Sequence, residues 1–424
     1  MYNKRMVSLT LMTSSSSIRL PLAGINFFLA DVRDGLGPFL AIYLIASQGW
    51  DSGKIGVIMT IAGVTTLLLQ TPAGVIIDNT RFKRGIFIIC SLAIAVAVLA
   101  IQYYPGFYVV AISKGMIGAA AAFFPPAIAA LTLGTVGPEY YAGQVGRNEA
   151  FNHAGNIFAA LMAALLGYYL GLESLFWFTA IMAMAAVASA LSLNKNLIDH
   201  RQARGLLTDS NEETPRALTV LLENKTLLLF GIAILLFHLA NAAMLILIGE
   251  EIAVGKQSQS PVLFVSGSII SAQFIMFFMA ILVSKKVDKW GRKPLFLLGF
   301  IALPIRGLLF TLSSDPYYLL AVQLLDGIGA GLFGALFPIV IADLTRGTGY
   351  YNTALGALGT LQAIGAAGST LVSGIIADLY GFVAAFYVLA GIALAALFLF
   401  YFAIPETRPK NLLPFTDSHG YETR

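Results

Sequence analysis

Residues 284–293 read SKKVDKWGRK, and residues 74–84 read GVIIDNTRFKR. Each stretch lies between two long apolar runs. Each carries an Asp four residues after a small residue, and then a cluster of bases. An offset of 210 places Asp288 on Asp78 and Lys293 on Lys83. The same offset pairs Tyr140-Tyr141 with Tyr350-Tyr351, Gly155 with Gly365, Gly171 with Gly381, and Phe176-Trp177 with Phe386-Tyr387. One stretch shifts to 212, where Lys114-Gly115 meets Asp326-Gly327 and Pro126 meets Pro338. Matches at one register along both halves mark an internally duplicated chain.

The 424 residues are 58% hydrophobic and only 11% charged. A soluble domain runs near 45–50% apolar and about 25% charged, so a soluble enzyme, a disordered chain and a coiled coil are excluded. The 41 glycines have no period, which excludes collagen. Long unbroken apolar runs, rather than ~10-residue alternating segments, argue against a membrane β-barrel. The expected fold is an all-α polytopic membrane protein. A lone Cys90 excludes a disulfide framework and a multi-cysteine metal site. The N-terminal residues lack a compact apolar core with a cleavage site, so they read as a polar tail rather than a signal peptide.

A span needs about 20 mostly apolar residues. Twelve are expected, at 20–46, 54–77, 85–104, 107–136, 148–171 and 173–193, then 226–250, 261–284, 293–313, 316–345, 352–378 and 382–404. This divides the chain into a six-helix bundle (1–193), a linker (194–225), a second six-helix bundle (226–404) and a tail (405–424). With both termini in the cytoplasm, the inner segments hold 21 of the 26 Lys and Arg residues. The outer loops hold Lys54 and Lys256, and the spans hold Arg33, Lys114 and Arg306. That asymmetry fixes the orientation. It also explains the formal charge of +4 without a nucleic-acid partner.

On the 284–293 stretch, its weaker copy at 74–84 and the twofold repeat, the chain resembles the major facilitator superfamily over nearly its whole length. That family's loop signature is G-x3-D-[RK]-x-G-[RK]-[RK]. The second copy fits it except for Ser284 in place of the leading Gly. The first copy keeps Gly74 and Asp78 but lacks the internal Gly. The resemblance implies two pseudo-symmetric bundles, alternating access between them, and packing of span 5 beside span 8 and of span 2 beside span 11. Asp288, near Arg292, then reaches the start of span 5 near Arg147 and Glu149, and Asp78 reaches the start of span 11 near Asn352. These contacts would gate the inner side; the bland alternative is charge that only sets topology.

Charges within spans are costly and mark pathways or pairs. Span 1 carries Asp31, Arg33 and Asp34 before a Gly-x-Gly-Pro that loosens the helix. These are a protonatable cluster or an Arg-clamped pair. Lys114 and Asp326 occupy equivalent places with opposite charge; Asp326 couples protons or pairs with Arg306. Many family antiporters carry an Arg near the place of Lys114, which implies proton coupling. Lys114 would otherwise bind an anionic group. His238 and Asn241 share one face of span 7, either lining a cavity or bonding helices. Glu149 and His153 form one stripe of span 5 beside Asn148, Asn152 and Asn156, and Gln273 reads as packing. No spacing supports a metal site, a cofactor or catalysis, and no nucleotide loop is present.

The expectation is therefore a secondary transporter, not an enzyme, in the inner membrane of a bacterium. It moves a small organic solute against protons and acts as a monomer in the bilayer. Proton-coupled export is favoured. The alternative is proton-coupled import of a small anionic metabolite or a siderophore-like metal chelate. The Gly-Pro-rich span 5 signature of many exporters is missing.

Overall fold

The computed structural model of the protein describes residues 18–33, 36, 38–206, 222–254 and 261–409. Among these residues the regular structure is helical and contains no strand. The first half comprises α1 (18–32), α2 (Pro38–Ala46), α3 (Ser52–Asn79), α4 (Lys83–Tyr103), α5 (Phe107–Leu170) and α6 (Glu173–Ser192). The second comprises α7 (Lys225–Asn241), α8 (Met244–Val254), α9 (Pro261–Trp290), α10 (Arg292–Leu309), α11 (Pro316–Leu344), α12 (Tyr351–Tyr380) and α13 (Phe382–Ala403). Side-chain caps start several of them: Asp51 accepts from the Lys54 N–H and Asp315 from the Tyr318 N–H, each at 2.9 Å.

With α7 and α8 taken together as one span, nine of the described helices are long and apolar enough to cross a membrane. The count becomes twelve for physical reasons. At 1.5 Å per residue, the 64 residues of α5 would be far too long for one crossing. Gly137, at φ 74° and ψ 167°, breaks it into two spans; that left-handed backbone suits a residue without a Cβ. The first span is split between α1 and α2, with Leu36 at φ 69° in the break. Finally, α10 falls short only because Arg292, Lys293 and Arg306 interrupt it.

Two boundaries differ from the sequence reading. The fifth span was expected to begin at 148, but helix resumes at Pro138. Its polar first turns read as loop because their partners are invisible locally. In the fold, Gln144 Nε2 donates to Asn148 Oδ1 at 2.8 Å, and Asn148 Nδ2 donates to Thr132 Oγ1 at 2.9 Å. The linker is likewise not all loop. Two 3-10 turns, Lys195–Leu197 and Gln202–Arg204, fold beneath the helices. The Asp199 N–H donates to the Gly134 carbonyl at 2.7 Å, and Ala203 is fully buried. Residues 207–221 and 410–424 lie outside the described part.

The apolar core forms two clusters, one within residues 22–203 and one mainly within 227–404. Ala129, Leu133, Tyr141, Ala142 and Val145 of α5 join the second cluster, so the halves share core at one end. Two helix crossings connect the halves, α3 with α12 and α5 with α9. Both are glycine-close. A Cβ on Gly74 would lie 2.1 Å from the Asn352 carbonyl oxygen, and one on Gly146 would lie 2.4 Å from the Ser284 nitrogen.

Candidate functional site: a contact between the halves and a buried charge cluster

The two signature copies sit at the same end of the two crossings but have different partners. Asp78 ends α3 and is only 2% exposed. Its Oδ1 accepts from the Asn352 N–H at 3.2 Å and from Asn352 Nδ2 at 2.8 Å. Its Oδ2 accepts from the Thr353 N–H and Thr353 Oγ1, both at 2.7 Å. The carboxylate thus caps the first turn of α12, where N–H groups are free and the helix dipole favours an anion. Asn352 Nδ2 also donates to the Ala203 carbonyl at 2.9 Å, which brings the folded linker into the same contact.

Asp288 does not repeat this. It makes no hydrogen bond or ion pair to α5 among the described residues. Instead it accepts from Arg292 Nη1 at 2.9 Å, and Arg292 Nε donates to Asp343 at 2.9 Å. The expected meeting with Arg147 at the start of span 5 is corrected accordingly. The reason lies in the helix start. Asn352 and Thr353 open α12, whereas their equivalents, Ala142 and Gly143, lie a turn inside a helix resuming at Pro138. Their N–H groups have intrahelical partners. The α5–α9 contact is made by Ser284, whose hydroxyl donates to the Gly143 carbonyl at 2.9 Å. The departure from the family's leading Gly therefore has a bonding role.

The second copy is bound to the C-terminal residues instead. Glu406 accepts from the Arg292 N–H at 2.9 Å and from the Lys293 N–H at 3.1 Å, capping α10. Arg408 donates to the Asp288 and Lys289 carbonyls. Gly291, at φ 94°, lets Glu406 approach.

Between the crossings, the Tyr141 and Tyr351 hydroxyls are hydrogen-bonded to each other, with ring centroids 5.9 Å apart. These residues are equivalent by the 210 offset, so they lie on the pseudo-twofold axis. Thr71 and Thr360 join α3 to α12 at 3.0 Å, and His153 and Gln273 join α5 to α9 at 2.8 Å. These bonds join the two halves at the end of the molecule that carries the basic loops. Toward the other end, Gly56 and Gly63 of α3 and Gly267 of α9 face open space.

The buried charges form a second site. Arg306, 2% exposed, is ion-paired with Asp326. It also donates through Nη2 to Asn241 Oδ1 at 2.7 Å, and Gln323 Nε2 donates to Asp326 Oδ2 at 3.1 Å. Arg306, Asp326 and Asn241 converge with Phe237, Leu303, Leu325 and Gly329 on a narrow crevice with no room for a water molecule. Asp326 keeps 18% side-chain exposure. His238 stands apart: its Nδ1 lies 3.1 Å from the Ile234 carbonyl, and its ring packs on Phe333 at 4.6 Å. Asp31 accepts from Thr179 Oγ1 at 2.9 Å. Lys114 is buried in α5, 4% exposed, and Arg33 is exposed. Asp34 lies outside the described residues. Among the described residues no group of His, Cys, Asp and Glu could hold a metal ion.

The profile of the Major Facilitator Superfamily matches residues 22–275 and 226–420. The chain belongs to that superfamily. It is 45% identical over 385 residues to an uncharacterized MFS-type transporter of Mycobacterium tuberculosis, covering 90% of this chain and 92% of that one. It is 24% identical over 379 residues to the inner membrane transport protein YajR of Escherichia coli, covering 85% and 77%. Among solved structures, the transporter FucP in an outward conformation superimposes with TM-score 0.72 at 14% identity, covering 92% and 99%. The proton:xylose symporter XylE superimposes with TM-score 0.69 at 13% identity, covering 93% and 96%. The chain is thus an integral membrane transporter with the superfamily's helical fold.

Sequence reasoning missed Asp343, Glu406 and Gln323. It treated Gln273 as packing. Only the Tyr141–Tyr351 pair left a usable signal, since two equivalent residues can meet only on the repeat axis.

Proposed function

We propose that the protein is a proton-coupled secondary transporter that exports a small organic solute by alternating access, in a bacterial inner membrane with both termini inside. The observation that supports this reading is the Asp326–Arg306 pair. Arg306 is buried while Asp326 keeps part of its side chain exposed, so the acid is the member of the pair that a solute or proton would reach first. A cationic or polar solute that takes Asp326 competes with a proton for the same carboxylate, which is the arithmetic of antiport. The inner seal would hold while solute leaves and proton enters from outside. Gating by Asp78 belongs to the same proposal, with Arg292 and Asp288 setting the geometry of the second loop.

Import of an anionic solute is the second reading. It is favoured by a specific feature, the buried cations Lys114 and Arg306. Protonation of Asp326 would free Arg306 to bind an anion, so proton and solute would bind together.

The test is flux in proteoliposomes under an imposed pH gradient, screened against organic cations, anions and chelates. Cation efflux against inward protons supports export. Anion uptake with protons selects the second reading. No gradient-driven flux of any solute overturns proton coupling.

A further inference from the structure

At the α5–α9 crossing, two turns deeper than the Gly146–Ser284 contact, lies a buried imidazole that neither the Asp326 cluster nor the Asp78 cap uses. His153 is 6% exposed. Its Nδ1 stands 2.8 Å from Gln273 Oε1 on the other half, and a carbonyl oxygen there requires Nδ1 to donate. Its Nε2 is buried without a hydrogen-bond partner among the described residues. That nitrogen faces Glu149 Oε2 at 4.0 Å, one turn back on α5. The Glu149 carboxylate accepts from Asn152 Nδ2 at 3.2 Å and keeps 24% side-chain exposure.

We infer that His153 and Glu149 form a proton-binding site whose occupancy holds α5 against α9. The chemistry is a count of donors. A neutral imidazole has one N–H and here faces two acceptors, Gln273 Oε1 and Glu149 Oε2. One N–H can satisfy only one of them. A proton added to Nε2 gives each acceptor its donor, and the imidazolium ties Glu149 of one half to Gln273 of the other. The proton comes from water past Glu149, which keeps 24% side-chain exposure, and returns to water when the halves part; no other bond changes. Proton binding and the sealed arrangement therefore support each other, as linkage requires.

The surrounding elements add little competing charge. Helix α9 has no charged residue from Gly267 to Ser284. Helix α11, whose Gly334 stands beside Glu149, carries Asp326 and Asp343, eight and nine residues away. On α1, which meets α5 at Gly155, the charged residues are Arg19 and Asp31, with Arg33 just beyond its end; on α5 itself the neighbour is Arg147.

The inference rests on the proton-coupled reading above and assigns residues to it. The experiment uses the full chain in nanodiscs, with Cys90→Ser and spin labels at the exposed Arg81 and Lys289, one on each half. The distance distribution is followed from pH 5.5 to 8.5, with proteoliposome flux measured in parallel. The expected result is a shift from the short, sealed distance toward longer ones as pH rises. His153→Gln and Glu149→Gln should each abolish that shift, and Gln273→Ala should reduce it. A pH shift that persists in both His153→Gln and Glu149→Gln overturns the inference, and so does a pH-independent parent. If the parent still shows gradient-driven flux in either case, coupling stands and the site is elsewhere. If flux is absent, the functional reading itself fails.

Discussion

Asp78→Asn tests whether the α3–α12 contact holds the inner end closed. The change keeps the shape and removes the charge. At present the carboxylate accepts four hydrogen bonds within 3.2 Å, two of them from backbone N–H groups of the first turn of α12. An amide in its place has one acceptor oxygen, and its NH2 then faces a backbone N–H. The lost charge-assisted bond contributes about 1.5–3 kcal/mol, and the lost helix-dipole term about 0.3–1 kcal/mol. The Thr353 hydroxyl can turn to accept, which returns part of this. A net loss of about 2–3 kcal/mol to the sealed form follows. At 1.4 kcal/mol per factor of ten, the open fraction rises roughly 30–150-fold. The assay is the alkylation rate of a cysteine at the fully buried Ala354, with Cys90→Ser, using an impermeant maleimide from the inner face. While opening is rare and fast, the rate follows the open population, so it should rise by the same factor. A rate within threefold of the parent, in a variant that elutes and melts like it, would refute the gate.

Ser284→Gly restores the family residue and deletes the 2.9 Å bond to Gly143. At about 1 kcal/mol for an ordinary bond, the same alkylation assay should rise about fivefold. Gly291→Ala places a methyl 2.3 Å from Glu406 Oε2 at a φ of 94°. It should lower the thermal midpoint in detergent, and Glu406→Gln should lower it less. Arg306→Met strands Asp326 beside an apolar side chain. Breaking a buried pair costs about 3–5 kcal/mol, so expression and melting should fall sharply, and Asp326→Asn added to Arg306→Met should restore melting without restoring gradient-driven flux. Recovery of flux in that double variant would leave Asp326 only a structural role.

How far the sequence carried depended on whether each feature was periodic or paired. The spans, the duplication and the Asp78 contact were legible because apolar runs repeat and a signature recurs at one register. The start of the fifth span was not, since Gln144 and Asn148 satisfy each other and Thr132 across a helix break set by Gly137. The linker was not, since Ile198 and Ala203 lie among polar residues and are buried only by tertiary contact, with Gly134 facing both. The charge cluster was half legible. Arg306 and Asp326 were named as a possible pair, but Gln323, which completes the carboxylate's bonds, is an ordinary polar residue in sequence.

The two signature copies make the physical point most clearly. They share an Asp at the same register, yet only one caps a helix of the other half. The difference is decided elsewhere, by where the facing helix begins. Helix α12 starts at Tyr351 and offers free N–H groups to Asp78, whereas α5 resumes at Pro138 and has spent its own before Ala142. The second Asp therefore turns to Arg292, and a hydroxyl on Ser284 takes over the crossing. The contact between the halves is consequently asymmetric: on the α3–α12 side a carboxylate caps a helix of the other half, and at the matching point of the α5–α9 side a hydroxyl bonds a carbonyl. Loss of Asp78 should loosen the seal far more than loss of Asp288. Asp288→Asn should leave Ala354 alkylation near the parent rate while lowering the melting point, because it removes a pair with Arg292 and no contact between the halves.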